Sequence, residues 1–135
     1  MKILVVEPGK TPEVKEIDGS LESMQEVVGG YIEAIYPFDD PIALVCNEEG
    51  KINGMTPNRI LVDKDGNILD IICGTFFLCE ALPTEENFTG LSDKEVERYI
   101  RKFRSTHFIG TTLETLKEGD SRCTKRFSMD SNHRV

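Results

Sequence analysis

The sequence predicts an α+β fold: an antiparallel or mixed β-sheet with two helices packed on it. Three observations lead there. Short apolar runs separated by turn residues outnumber helical stretches, and only two segments, near 21–28 and 93–104, repeat their apolar residues at helical spacing. The order strand, strand, helix, several strands, helix departs from the strict βαβ alternation of a parallel sheet, and it favours helices gathered on one face.

Lys2–Val6 is an apolar run stopped by Pro8-Gly9, a strand and its turn. Glu13–Ile17 reads as a half-exposed strand, with Val14 and Ile17 set among charges. Asp18-Gly19-Ser20 supplies a turn and an N-cap, and Leu21, Met24, Val27 and Val28 recur at helical spacing until Gly29-Gly30 stops the helix. Tyr31–Tyr36 carries β-formers and is closed by Pro37, and Ile42–Cys46 is an apolar run suited to an interior strand. Asn47-Glu48-Glu49-Gly50 reads as a hairpin loop with glycine at a positive φ. A second hairpin follows, Ile60–Val62 and Ile68–Ile72 around Asp63-Lys64-Asp65-Gly66-Asn67. Ile71 through Leu78, the most apolar stretch, is expected to be the central strand, with Gly74 a bulge or a point of close approach. Ser92-Asp93-Lys94-Glu95 is a capping box ahead of Val96, Tyr99, Ile100 and Phe103. Residues 1–110 are read as one α+β domain and 111–135 as a polar, basic tail carrying Arg122, Lys125, Arg126 and Arg134.

At 135 residues with 39 % apolar content the chain can bury one core. It has no run of about 18 apolar residues of the kind that spans a membrane. The opening apolar run ends at Glu7-Pro8, too early for a secretion leader, so the expected location is the cytoplasm. Net charge is −8, unevenly spread: residues 1–100 hold 20 acids against 8 Lys and Arg, and residues 101–135 hold 4 against 8. Such a body repels nucleic acid and is attracted to basic surfaces. Cys46, Cys73, Cys79 and Cys123 form no C-x-x-C pair and lie far from His107 and His133, so neither a zinc site nor any other cofactor is expected.

Phosphate-binding loops and a G-x-S-x-G elbow are absent. Asp63-x-Asp65-Gly66-Asn67 has its glycine at the wrong position for a calcium loop and reads as a turn. The pairs Asp39-Asp40, Glu48-Glu49 and Glu85-Glu86 fall in turns, where acids are solvated and keep ordinary acidity. Glu33, between Ile32 and Ala34, is the acid expected to face a pocket. Asn47, Asn53, Asn58 and Arg59 cluster around two turns, either as turn chemistry or as a polar recognition pocket. The candidate binding residues are Tyr31, Glu33, Asp39, Asp40, Asn47, Glu48, Glu49, Asn58 and Arg59, with no catalytic or metal-binding set.

Three strings give this chain a likeness: Val28-Gly29-Gly30-Tyr31-Ile32-Glu33, Asn47-Glu48-Glu49-Gly50-Lys51 with Asn58-Arg59, and Asp70-Ile71-Ile72-Cys73-Gly74-Thr75-Phe76-Phe77. Over about residues 1–80 it resembles a bacterial and phage family catalogued as domain of unknown function 3846. The resemblance implies a setting on phages and mobile elements of Gram-positive gut bacteria, where accessory proteins often inhibit host defence. It brings no catalytic residues with it. Together with the acidic body it implies a non-catalytic binding protein that antagonises a defence enzyme, such as a CRISPR nuclease, by occupying a basic nucleic-acid channel. A small-ligand or signalling-nucleotide binder is the alternative. A homodimer through a sheet edge bearing Tyr36, Phe76 and Phe77 is a further expectation.

Overall fold

The computed structural model describes residues 1–63 and 65–105. The elements are β1 (Lys2–Val6), β2 (Glu13–Glu16), α1 (Leu21–Val28), β3 (Ile32–Ile35), β4 (Ile42–Asn47), β5 (Pro57–Val62), β6 (Ile68–Cys73), β7 (Phe76–Glu80) and α2 (Asp93–Phe103). The expected tail, 111–135, lies outside the described residues. Five strands form an antiparallel sheet in the order β2-β1-β7-β4-β3, and β5 and β6 form a separate antiparallel hairpin.

Strand alternation splits the core into two layers. Ile3, Val5, Ala43, Val45, Phe77 and Cys79 point to one face, where Met24 and Val28 of α1 cover them. Leu4, Val6, Ile42, Leu44, Phe76 and Leu78 point to the other, where Leu61 and Ile72 of the hairpin and Val96, Tyr99 and Phe103 of α2 cover them. Each such Val, Leu, Ile or Phe contributes roughly 1.5–3 kcal/mol by leaving water. The helices therefore lie on opposite faces, not together on one. The three interior strands are apolar on both sides, and each side needs a cover.

Three further expectations change. Ile71–Leu78 is not one strand: Gly74, at φ 86°, breaks it into the end of β6 and the start of β7. Only β7 is central, so Phe76 and Phe77 are fully buried and form no sheet edge. The residues after Asn47 do not close a hairpin between neighbouring strands; they carry the chain from the sheet to the β5–β6 hairpin. The capping box is present, with the Glu95 amide donating to Ser92 Oγ at 3.2 Å and the Ser92 amide to Glu95 Oε1 at 2.9 Å.

Candidate functional site

A cleft opens where α1 ends. Gly29 takes the left-handed conformation at φ 79°, and its amide and that of Gly30 both donate to the Gln25 carbonyl, at 2.8 and 3.1 Å. Gly30 must be bare, because a Cβ there would sit 2.7 Å from Asn47 Nδ2. Asn47 closes β4 and is buried. Its amide nitrogen donates to the Val28 carbonyl at 3.2 Å and its oxygen accepts from the Glu49 amide at 2.7 Å. One side chain thus satisfies a helix-end carbonyl and shapes the turn beyond. The Glu48 amide donates to the Tyr31 carbonyl at 2.8 Å. The result is a cleft of about 280 Å³ lined by Gln25, Gly29, Gly30, Tyr31, Asn47, Glu49 and Asn53.

The chemistry of this cleft is that of amides, one carboxylate and a phenol ring that is 68 % exposed. No Lys, Arg or His lines it among the described residues. Such a lining suits a cationic or neutral polar group, which finds acceptors and a π face, and it gives a phosphate no counter-charge.

Asn58 and Arg59 lie elsewhere and do structural work. Asn58 is buried, and its Nδ2 donates to the Val6 and Gly74 carbonyls, both at 2.9 Å. Arg59 is 2 % exposed. Its Nε and Nη2 donate to the Phe103 carbonyl at 3.3 and 3.0 Å, Nη2 to the Lys10 carbonyl at 2.7 Å and Nη1 to Asn58 Oδ1 at 2.7 Å. No carboxylate pairs with it among the described residues. The end of α2 and the β1–β2 turn offer partial negative charge in place of a full one. Burial pulls the Arg59 pKa down, yet a guanidinium keeps its proton. These two residues join β1, β5, the Gly74 turn and α2, and present nothing to a partner.

The other candidates scatter. Asp40 accepts from Tyr99 Oη at 2.8 Å and from Arg98 Nη1, which fastens the β3–β4 loop to α2 beside Phe38. The bond from Tyr99 and then the Arg98 charge hold the Asp40 carboxyl below its ordinary range, and burial and then Asp40 push the Tyr99 phenol up. Asp39 and Glu48 are exposed. Glu33 is half-buried on β3, opposite Cys46, and does not line this cleft. Of the nine candidates the cleft gathers three, Tyr31, Asn47 and Glu49. Gln25 was missed because it reads as the polar face of a helix; its place four residues before Gly29 was the signal.

Among the described residues no group of three or more His, Cys, Asp or Glu could hold a metal ion. Cys46, Cys73 and Cys79 are buried; burial pushes the Cys79 thiol up to about 12 and raises that of Cys73, so neither of these two is a ready thiolate. Asp63 receives the amides of Asp65 and Asn67 on Oδ1, both at 2.9 Å, which is a turn and not a calcium loop. The nearest approach to paired-carboxylate chemistry is Glu80 with Glu95. Burial and then Glu95 raise the Glu80 carboxyl, against a hydroxyl bond from Thr89 at 3.1 Å. A raised carboxyl favours the protonated form in the fold, so ionised Glu80 weakens the fold once pH rises through its folded value; below its unfolded value the penalty is absent. Glu80→Gln is therefore expected to raise the thermal midpoint near about pH 7 and to leave it unchanged near about pH 3. An equal shift at both would show that the carboxyl is not strained.

A family model described as Domain of unknown function (DUF3846) matches residues 1–104. No curated protein and no solved structure matches the chain.

Proposed function

Because the chain belongs to the family described as Domain of unknown function (DUF3846), a description that assigns no activity, we propose its action from its own surface: it is a non-catalytic binding protein that acts by occupying a basic site on a protein partner. The observation that carries this is where the charges lie. None of the 20 acids in residues 1–100 is buried. Of the cations there, Arg59 is internal, and Lys2, Lys10, Lys51 and Arg98 are each paired with an acid. The acids in excess over cations therefore all lie outside the core, and the internal Arg59 offsets none of them at the surface. An anionic exterior draws a cationic groove at long range and competes with the nucleic acid that such a groove holds.

Within that exterior the turn after β4 is the contact we favour. It presents Glu48, Glu49 and an Ile52 that is 83 % exposed, next to Tyr31. An aromatic and an aliphatic side chain in the company of two acids suit a patch of Lys and Arg with apolar stems between them. The partner class this fits is an enzyme that grips nucleic acid, and a defence nuclease met by a phage or mobile element is the instance we propose. The cytoplasm of a bacterial host is the matching location; no helix among the described residues is long and apolar enough to cross a membrane. A cleft without cations speaks against the signalling-nucleotide reading.

The test is inhibition of cleavage by an RNA-guided nuclease, titrated with this chain at increasing salt. Inhibition is expected to weaken steeply as ionic strength rises. Inhibition indifferent to salt would remove the electrostatic basis of the proposal, and no inhibition would remove the partner class.

A further inference from the structure

The two sheet edges differ. β2 is fully exposed and alternates Glu13, Val14, Lys15 and Glu16, charges that discourage edge pairing. β3 reads Ile-Glu-Ala-Ile, pairs with β4 in unbroken register and is flanked by exposed Tyr31 and Tyr36. The Glu48 amide bonds the Tyr31 carbonyl, which makes 31 and 48 a hydrogen-bonded pair. By alternation, residues 33 and 35 also turn their backbone groups toward β4, and Ile32, Ala34 and Tyr36 turn theirs outward. Pro37 biases Tyr36 toward the extended conformation that continues this row.

We propose that the outer edge of β3 pairs antiparallel with the same edge of a second copy, centred on Ala34. Two-fold symmetry within a continuous sheet allows only registers in which one residue faces itself. Centring on Glu33 sets two carboxylates directly opposite, which is unfavourable. Centring on Ala34 puts the smallest side chain on the axis, Ile32 against the partner copy's position 36 and Glu33 against its position 35. It also pairs the outward backbone groups of 32, 34 and 36. So short a ladder buries less than the roughly 1,200–2,000 Å² of a stable interface, so the dimer is weak and concentration-dependent. Because each body carries a net negative charge, pairing strengthens with salt, the opposite of the response expected for the basic partner.

Sedimentation at rising protein concentration and salt is expected to show the mass doubling. Ala34→Pro removes an outward amide that bonds nothing among the described residues, and is expected to return a monomer with an unchanged thermal midpoint. In a Cys123→Ser background, Ala34→Cys is expected to cross-link to its copy, since hydrogen-bonded pairs lie about 5.5 Å apart at Cα. Glu33→Cys is not expected to cross-link. A monomer at every concentration and salt would mean that Glu33 blunts the edge and would overturn the proposal, as would dimerisation that survives Ala34→Pro or cross-linking at 33 in place of 34.

Discussion

Arg59→Met is expected to lower stability by about 3 kcal/mol or more, a large share of the roughly 5–15 kcal/mol that holds a domain together. The guanidinium serves the Phe103 carbonyl, the Lys10 carbonyl and Asn58 Oδ1 from one buried position. Methionine fills a similar volume but leaves those acceptors without a donor, at about 1–3 kcal/mol for each that water does not reach. Arg59→Lys is expected to recover little. An ammonium keeps the charge but does not reach three divergent acceptors at once, whereas the planar fork does. Urea unfolding measures both variants. Full recovery by lysine would show that charge alone, and not the fork, holds the end of α2.

Gly50→Ala is the second large effect, expected at about 2–3 kcal/mol. A Cβ on Gly50 would lie 2.6 Å from the Cys73 carbonyl oxygen, and that oxygen is backbone at the end of β6. Relief therefore requires moving the hairpin against the sheet. Gly50 is not among the glycines with positive φ, contrary to the expectation drawn from its place after Asn-Glu-Glu. The two explanations separate cleanly. At a left-handed position asparagine is tolerated better than alanine; at a close approach asparagine is at least as harmful. Gly50→Asn should therefore melt no higher than Gly50→Ala.

The elements were legible because their signals are local: Ser92 with Glu95, Gly29 after Val28, and the Asp63–Asn67 turn each form within a few residues. Which face each helix covers was not legible. A strand apolar on both sides, such as Ile42–Asn47, gives no sign that α1 takes one side and α2 the other. The nine candidate residues divided for a similar reason. Asn58 and Arg59 look like a polar surface pair, yet their partners at Val6, Lys10, Gly74 and Phe103 are supplied by distant segments. Gly30 with Asn47, Gly50 with Cys73 and Arg59 with α2 are where the layers join. The strings that carry the family likeness thus mark the joints of the fold, with Tyr31 and Glu49 left facing solvent around the cleft.

The most direct test reverses charge on the turn after β4. Glu48→Lys with Glu49→Lys alters two exposed side chains and leaves the Tyr31 carbonyl bond, made by backbone, in place. The double variant should melt with the wild-type chain and lose inhibition of the nuclease at low salt. Undiminished inhibition by a folded double variant would contradict the view that this acidic face does the binding.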